Sequence, residues 1–551
     1  MSQIGNYINC CSAIMRSLYE GNPTMNRLLL TAAALSLLVG VASAKETPTK
    51  GFNVKIPENI MTPDKVQSRI GELNFYDGVP TDATVEKVYD NLDYLRGIDV
   101  FLNFIPACNI EGMRRGTESL GVSGYNQVML MDKLMDSTSL FLTGNTDTVY
   151  ASSFFDLSKT GPLVVEIPAG AGPGTVNDAF FRFVVDMGAP GPDRKKGGTY
   201  IILPPDYEGA LKVTPNSFKD NSSTKTIING KETDVWIAKS RSYSNWMILR
   251  GFLVDGKPDA AAKMWREKLK IYPLKDAAHP KKMEFVSGSG KYFNTIHSNK
   301  YSYFEELDDV IQREPVSFIS SELRGQAAAI GIIKGKAFNP DTRMKNILTD
   351  AVKVGNATAR TITFNPRDER AYLYPNSSWK TFFIGGDYRW LNLTGEAGRN
   401  LDARIHFFYQ ATVNTPAMAL ELIGLGSNYA GNTRDKDGNM LYGDKNYKVT
   451  LPKDVPAKDF WSLVAYDTQT RSELQTKDMP FPSINSKIAK LDYNKDGSVD
   501  IYFGPKAPKE HTNNWIQTVP EKSWFLVIRY YGPLKPFYDK TWKPGEIELI
   551  K

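Results

Sequence analysis

The chain has 551 residues, of which 41% are hydrophobic, and 67 Lys and Arg residues against 61 Asp and Glu residues give a net charge of +6. This charge is weak and diffuse for such a length, which excludes the clustered basic footprint of a nucleic-acid-binding protein. The hydrophobic content is sufficient for ordinary cores, and the length predicts two to four domains.

Residues 25–44 have the pattern of a secretory signal. A basic start at Arg27 is followed by an apolar run over 28–41 and then by the small residues Ala42-Ser43-Ala44. The run is shorter than the roughly 20 apolar residues that span a bilayer, which disfavours a retained anchor. We therefore predict cleavage near Ala44, a periplasmic or secreted protein, and no stable membrane insertion.

The segment before this signal, residues 1–24, is interpreted as a misassigned gene start, because Met25 begins the signal directly. Cys10 and Cys11 lie in that segment, so the mature chain keeps Cys108 alone. A single cysteine allows no internal disulfide, and its apolar surroundings predict a buried, inert thiol.

After the signal, the pattern of apolar, polar and turn-forming residues changes several times along the chain, and these changes predict the domain boundaries. We expect a linker or arm at 45–80, an N-terminal helix plus β-sandwich domain at 81–300, a helical section at 301–425 and a C-terminal β-sandwich domain at 426–551.

Apolar residues spaced three and four apart predict the helices of these domains. The expected helices cover 82–105 with an end near Pro106, 303–330 with a break at Pro315, 342–360 and 400–423.

Short apolar runs separated by Gly, Pro, Asn and Asp predict the strands. The expected strands cover 149–155, 163–167, 180–185, 199–203, 235–237, 246–253, 447–451, 460–466, 499–503 and 524–531. Asp437-Gly438 and Asp496-Gly497 predict tight hairpin turns. The fold class expected from this pattern is α+β, with two β-sandwich-like domains of the jelly-roll type bridged by helices.

Several motifs in order resemble a known pair of domains of unknown function, numbered twelve-fifty-four (N-terminal) and twelve-fourteen (C-terminal). The N-terminal motifs are Asn145-Thr-Asp147-Thr148-Val149-Tyr150, Asp156-Leu157 and Gly197-Gly198-Thr-Tyr200. The C-terminal motifs are Asp435-Lys-Asp437-Gly438, Phe460-Trp461-Ser462-Leu463, Asn513-Asn514-Trp515 and Arg529-Tyr530-Tyr531-Gly532-Pro533. The resemblance implies an exported bacterial or viral protein built from β-sandwich domains with accessory helices, and it supplies no catalytic residue.

Familiar catalytic and metal-binding motifs are incomplete. Gly288-Ser-Gly290-Lys291 is followed by Tyr292 where a phosphate-binding loop needs Ser or Thr. The four histidines lie outside metal-ligand spacing of one another, which predicts no multi-histidine metal site. Asp492–Asp500 imitates half of a calcium loop, but Phe503 stands where the last acidic ligand belongs, so a plain hairpin is the better interpretation. No organic cofactor is indicated, and a divalent cation is left open.

The best candidate site consists of six polar residues in or beside strongly apolar strands: Asn145, Asp147, Tyr150, Arg182, Asp186 and Arg250. Buried polar groups need partners and gather at functional sites. On one hypothesis the protein is a hydrolase-like enzyme that acts on an exogenous polar or anionic small molecule. Asp147 would be the base or a ligand to a divalent cation, Tyr150 would donate a proton, and the remaining four residues would bind the substrate.

A non-catalytic ligand-binding or protein-interaction module of the cell envelope is the alternative. On this hypothesis aromatic clefts bind the ligand, and the same six residues form a structural network of turn caps and buried ion pairs. The two hypotheses differ in whether Asp147, Tyr150, Arg182 and Arg250 converge on an open cavity. The sequence leaves homo-oligomerisation open on either hypothesis.

Overall fold

The computed structural model describes residues 49–215, 220–392, 398–487 and 489–550. The predicted signal, its cleavage point near Ala44 and the upstream segment with Cys10 and Cys11 lie outside the described residues. The chain divides into two compact units, Met1–Tyr89 and Asp90–Lys551.

Among the described residues, strands are more numerous than helices, and most of the predicted strands are confirmed to within a few residues at each end. In chain order they are β1 (Lys65–Ser68), β2 (Gly71–Tyr76), β3 (Val79–Pro80), β4 (Gln127–Leu130), β5 (Thr148–Asp156), β6 (Leu163–Ile167), β7 (Pro173–Asp178), β8 (Phe183–Gly188), β9 (Gly198–Leu203), β10 (Thr224–Ile228), β11 (Lys231–Lys239), β12 (Ser244–Phe252), β13 (Lys270–Pro273), β14 (Glu284–Ser287), β15 (Ser427–Asn432), β16 (Asn446–Leu451), β17 (Ala457–Asp467), β18 (Ser483–Asn485), β19 (Val499–Gly504), β20 (Trp515–Gln517), β21 (Trp524–Pro533) and β22 (Glu548–Ile550).

Helices stand between and beside the strands, so the fold class is α+β as predicted. They are α1 (Asp82–Glu118), α2 (Leu157–Thr160), α3 (Asp259–Lys268), α4 (Ser302–Arg313), α5 (Ser321–Ala329), α6 (Thr342–Phe364), α7 (Leu401–Phe408), α8 (Pro416–Ala419) and α9 (Lys535–Tyr538). Within the described residues, no helix combines the length and apolar character needed to cross a membrane.

The first unit holds a small antiparallel sheet of order β1-β2-β3, followed by the start of α1. The backbone N–H of Asn74 in β2 donates to the Thr84 hydroxyl at 2.8 Å, which ties this sheet to the first turn of the helix.

Two sheets occupy the N-terminal part of the second unit. The six-stranded sheet has the order β14-β4-β5-β12-β7-β8, and the five-stranded sheet has the order β10-β11-β9-β6-β13. Both contribute to one apolar cluster, with Val149 and Leu249 from the first and Val165 and Ile202 from the second. Because side chains alternate along a strand, the residues between them on the six-stranded sheet face the opposite side.

The C-terminal part repeats this arrangement with two four-stranded sheets. We call them the β17 sheet, of order β15-β21-β17-β18, and the β16 sheet, of order β20-β19-β16-β22. Leu463 and Ile528 of the β17 sheet share a cluster with Val449 and Ile501 of the β16 sheet.

The largest apolar cluster joins the second face of the six-stranded sheet and the second face of the β17 sheet to the helices. It combines Trp246 of the six-stranded sheet and Val527 of the β17 sheet with α1, α4, α6 and α7. The six-stranded sheet and the β17 sheet therefore pack against one shared core, and the candidate sites lie in this core.

The predicted end of the first helix near Pro106 is wrong, because α1 continues through this proline to Glu118. A proline inside a helix removes a hydrogen bond and costs about 3 kcal/mol. Its neighbours Ile105 and Ala107 are fully buried in the largest cluster, and burial of apolar surface offsets that cost. The break at Pro315 is confirmed, since α4 ends at Arg313 and the next helix begins at Ser321.

The single helix predicted over 400–423 is also wrong. The chain leaves helical geometry after α7, and Val413 has a φ of 69°, which a helix does not accept. Pro416 then begins the short α8, whose first turn is capped by the Thr415 hydroxyl. The non-helical segment 409–415 between the two helices contributes lining residues to the cavities described below.

The strand predicted over 180–185 begins only at Phe183, because residues 178–182 form a tight turn. Phe181 has a φ of 55°, and Asp178 Oδ1 accepts the backbone N–H of Phe180 at 2.8 Å and of Arg182 at 2.9 Å. Arg182 therefore lies in a turn and does not interrupt a strand.

The hairpin turns predicted at the two Asp-Gly pairs are confirmed. Asp435 N–H donates to the Asn439 carbonyl at 2.9 Å, and Asn494 N–H donates to the Ser498 carbonyl at 2.8 Å. Gly438 and Gly497 supply the positive φ that each turn requires.

Candidate functional site

The turn before β5 is built by Asn145. Its Oδ1 accepts the backbone N–H of Asp147 at 2.9 Å and of Thr148 at 3.1 Å, while its Nδ2 donates to the Tyr150 hydroxyl. An Asn side chain that binds the backbone in this way fixes a tight turn. The turn sets the direction in which Asp147 points.

Asp147 points at the β17 sheet and is 1% exposed. Its Oδ1 accepts from Asn485 Nδ2 at 2.9 Å, and its Oδ2 accepts from the Ser462 hydroxyl at 2.5 Å and the Tyr531 hydroxyl at 3.2 Å. We call these four residues, together with Asn145, the Asp147 network. Both carboxylate oxygens are engaged by the C-terminal part of the chain, and Asp147 is not among the residues that line the cavities described below.

Tyr150 and Arg250 lie directly opposite each other on neighbouring strands β5 and β12. The guanidinium carbon of Arg250 lies 5.4 Å from the centre of the Tyr150 ring, within the range of a cation–π contact. Arg529 and Tyr429 are opposite each other in the β17 sheet in the same way, with a separation of 5.3 Å.

These two Arg–Tyr pairs line one small cavity, which we call the two-arginine cavity, of about 30 Å³. Its other lining residues are mostly apolar and include Phe141, Ile248, Phe382, Phe407, Val413, Met418 and Val527.

Asp186 in β8 lies beside Arg250, at the edge of an adjoining cleft. Both of its carboxylate oxygens lie 2.7 Å from the Thr415 hydroxyl. Burial raises the pKa of Asp186 to about 7. The hydrogen bonds to the carboxylate and the positive charge of Arg250 lower this pKa, but their effect is smaller than that of burial. Its carboxyl group thus changes charge near neutral pH.

The structure does not bring Arg182 to Asp147. Arg182 Nε donates to Asp178 Oδ2 at 2.6 Å, and Asp178 is 1% exposed. The predicted group is therefore divided: Asn145, Asp147, Tyr150 and Arg250 form one neighbourhood, Asp186 borders it, and Arg182 belongs to another. The catalytic roles assigned to Asp147 and Tyr150 stay predictions.

Arg182 lines a much larger cavity of about 720 Å³, which we call the arginine cavity. Among the described residues, five arginines line it and no Asp or Glu does so. The arginines are Arg182, Arg241, Arg389, Arg399 and Arg404. Six aromatic side chains form much of its wall: Phe180, Phe181, Phe183, Tyr388, Trp390 and Phe408.

Two of these arginines flank one aromatic ring. The guanidinium carbons of Arg182 and Arg404 lie 5.9 and 6.0 Å from the centre of the Phe180 ring. Burial, followed by the nearby charge of Arg399, lowers the pKa of Arg404 to about 10. Repulsion among like charges in this cavity is relieved when an anion enters it.

Several buried polar atoms on the wall have no hydrogen-bond partner within the described part of the chain. Arg182 Nη2, Arg404 Nε and Trp390 Nε1 are donors of this kind, and Asn414 Oδ1 is an acceptor. An unpartnered buried donor costs about 1–3 kcal/mol. Three such donors on the wall of one cavity therefore favour a ligand with acceptor atoms.

Only Arg182 of this cavity was among the residues predicted from the sequence. Arg241, Arg399, Arg404 and Trp390 come from distant segments, and no local pattern marks them. Arg529 lies in a motif that carried the family resemblance, but its neighbouring residues gave no sign of a cavity.

Metal binding has no geometric support in the part of the chain that the structure describes. No group of three or more His, Cys, Asp or Glu side chains is placed there to hold an ion. Cys108 is buried and unpaired, and burial raises the pKa of its thiol well above the usual value, which agrees with the predicted inert thiol.

Comparison with known proteins assigns domains and fold. Residues 125–273 match the family model described as "Protein of unknown function (DUF1254)", and residues 426–535 match "Protein of unknown function (DUF1214)". These are the two domains that the motifs indicated, in the predicted order. No curated protein matches the chain.

Two solved structures are similar to the chain. The VPA0106 protein from Vibrio parahaemolyticus has 15% sequence identity and a TM-score of 0.50, with 83% of this chain and 100% of that chain covered. An uncharacterised protein from Burkholderia cenocepacia has 11% identity and a TM-score of 0.37, with 84% and 96% covered. At this identity the first structure supports the fold alone.

Proposed function

This chain carries a DUF1254 domain followed by a DUF1214 domain, neither of which is described with an activity, and we propose that it binds an anionic small molecule with a flat apolar body in the arginine cavity. The observation that carries the proposal is the joint placement of five arginines, six aromatic rings and unpartnered buried donors around one space. A volume of about 720 Å³ lies within the usual range for small-molecule sites.

The arrangement suits a carboxylate, sulfonate or phosphate attached to a ring system. The free N–H groups of Arg182 and Arg404 supply charged donors, which bind anions about twice as strongly as neutral donors do. The aromatic wall supplies area for the apolar body. Export to the periplasm or medium, proposed from residues 25–44, would place this cavity in contact with exogenous solutes.

Isothermal titration calorimetry with three probes tests the proposal: 2-naphthoate, the neutral 2-naphthamide and the cationic 2-naphthylmethylammonium. We expect naphthoate to bind at least about tenfold more tightly than the amide, with an affinity that falls as salt is added, and the cation not to bind. Equal binding of all three probes, or binding of none at millimolar concentration, would overturn the proposal.

Matched arginine variants locate the site. Arg399 is exposed and has no carboxylate within ion-pair distance in the described ranges, so Arg399→Gln should fold normally and weaken naphthoate binding. Arg96→Gln removes an exposed arginine that lines none of the cavities and serves as the control. Equal affinity in both variants would place the naphthoate elsewhere.

Hydrolysis of a polar or anionic small molecule beside Asp147, outside the arginine cavity, is a separate proposal, with Asp147 as base or cation ligand and Tyr150 as proton donor. Its support is the shared neighbourhood of Asn145, Asp147, Tyr150 and Arg250. The hydrogen bonds from Ser462, Asn485 and Tyr531 to Asp147 favour binding over hydrolysis, because they occupy the oxygens that a base or a ligand would use. Turnover of 4-nitrophenyl esters that is abolished in Asp147→Asn and in Tyr150→Phe, while both variants stay folded, would favour the enzyme.

We also propose that each pair of sheets is β-sandwich-like. The apolar clusters shared by the two sheets of each pair support this arrangement, in which two sheets pack face to face around a common core.

A further inference from the structure

The two-arginine cavity is distinct from the arginine cavity and has different dimensions. Its volume of about 30 Å³ accommodates a small ion or a few water molecules. A ring system does not fit, so the ligand proposed for the larger cavity does not explain this one.

The cavity is built symmetrically from two sheets that are far apart in sequence. The six-stranded sheet contributes the cross-strand pair Arg250 and Tyr150, and the β17 sheet contributes the cross-strand pair Arg529 and Tyr429. Each guanidinium lies over the ring of its own partner. Two cations thereby line one small cavity.

Arg529 has a donor that the protein does not use. The residue is 5% exposed, and its Nη2 donates to the carbonyls of Thr143 and Gly144 at 2.5 and 3.0 Å and to the Tyr466 hydroxyl at 2.7 Å. Its Nε is buried without a partner. Arg529 thus lines the cavity and keeps one buried N–H without an acceptor, and such a group favours an anionic partner.

Neither guanidinium has a carboxylate within ion-pair distance among the described residues. Asp186 interacts with Arg250 but is hydrogen-bonded to Thr415, and burial raises its pKa. Glu473 interacts with Arg529, yet both of its oxygens are unpartnered and burial raises its pKa well above the usual value. Neither carboxyl group thus forms a close ion pair with these arginines, and burial of each opposes its ionised form, which leaves the two arginines without full compensation.

We propose that one small monovalent anion, of the size of chloride or formate, binds between Arg250 and Arg529 and links the two sheets. Burying a charge is costly unless it is paired, and an anion here pairs two charges at once. The apolar remainder of the lining disfavours multivalent anions such as sulfate, which hold their water strongly. The occupant is an ion of structural importance and is independent of the ligand proposed for the arginine cavity.

Crystals of the protein grown with bromide in place of chloride give the direct test. We expect an anomalous difference peak at the bromine edge within contact distance of Arg250 and Arg529 Nε. A peak found only at the protein surface, or no peak between the two arginines, would overturn the proposal.

Solution stability gives the second test and separates a functional ion from an adventitious one. The melting temperature should be higher in sodium chloride or formate than in sodium gluconate at equal ionic strength, because gluconate is too large for the cavity. A bromide peak with no difference in melting temperature between these salts would indicate an adventitious ion only and would count against the proposal.

Variants assign the effect to the cavity. Arg250→Gln should abolish the chloride dependence, and Arg250→Lys should retain part of it because the charge is kept. Arg241→Gln, which alters the arginine cavity, should leave the chloride dependence unchanged. If Arg250→Gln fails to fold, Tyr429→Phe should keep the dependence, since the ring face and both charges remain; loss of the dependence in this variant would contradict the role of the arginines.

Discussion

The Asp147 network and the arginine cavity both contain buried polar groups, but these groups have hydrogen-bond partners in the network, whereas several of them lack partners in the cavity. In the Asp147 network each carboxylate oxygen accepts hydrogen bonds from the β17 sheet, and Asp147 lines neither of the two cavities. In the arginine cavity, Arg182, Arg404 and Trp390 belong to the lining, and each keeps a buried donor without a partner among the described residues. A satisfied polar group holds elements together, whereas an unsatisfied one beside a void can bind something else.

Asp147→Ala should give the largest effect, because it tests whether the network braces the fold. The change leaves buried donors of Ser462, Asn485 and Tyr531 without an acceptor, and we expect a loss of about 3–5 kcal/mol in the free energy of unfolding. Urea denaturation measures it. Asp147→Asn keeps one acceptor and should lose about half as much. A loss below about 1 kcal/mol for the alanine variant would remove the contrast between the two regions.

Asp186→Asn should change the pH dependence of stability. Burial raises the pKa of Asp186 to about 7 from 3.8, so the unfolded chain releases this proton at a lower pH than the folded chain. The contribution of Asp186 to stability therefore falls as pH rises from about 4 to about 7, by up to about 4 kcal/mol.

The asparagine variant does not titrate and keeps an acceptor for Thr415. Its stability relative to the natural chain should therefore grow across that pH range, as measured by urea unfolding at several pH values. Parallel curves for the two proteins would show that Asp186 titrates as an ordinary carboxylate.

Arg182→Met should have an intermediate effect, because Arg182 belongs to the open region yet compensates a buried carboxylate. Asp178 loses its ion pair, and since the Arg182 side chain is 27% exposed we expect a loss of about 2 kcal/mol. The double variant Asp178→Asn with Arg182→Met should recover most of it, because an amide oxygen still accepts the backbone N–H groups of the turn. A double variant as unstable as the single one would indicate that Arg182 stabilises the turn by packing.

Arg399→Gln should have the smallest effect on stability. The residue is exposed and lacks a carboxylate partner among the described residues, so the free energy of unfolding should stay within about 0.5 kcal/mol of the natural value. Thermal unfolding without added ligand measures this change in stability. It complements the titration described above, in which the same variant is expected to bind naphthoate more weakly. A clear loss of stability would mean that the arginine cavity is held together by its arginines and is not kept open for a ligand.

Local patterns were enough to predict most elements, and the failures have identifiable causes. Strands such as Leu163–Ile167 were predicted at their observed ends because apolar runs are bounded there by turn residues. The helix through Pro106 was missed because burial on both sides of the proline outweighs its local cost. The turn at 178–182 was missed because one carboxylate, Asp178, organises it through the backbone.

The candidate site was only partly predictable for a related reason. Asn145, Asp147, Tyr150 and Arg250 were found because polar residues in apolar strands are visible in the sequence. Whether each is satisfied depends on partners hundreds of residues away, such as Ser462 and Tyr531 for Asp147.

The sequence by itself determined the fold class, the order of the two domains and the presence of buried polar groups, because periodicity, turn residues and motifs are local properties of the chain. Only the tertiary structure decided which polar groups are satisfied and which border a cavity. Which groups are satisfied depends on how the six-stranded sheet, the β17 sheet and the helices pack together. The hydrogen-bond partners come from segments far apart in the chain, so the residues next to a polar group do not reveal its partner.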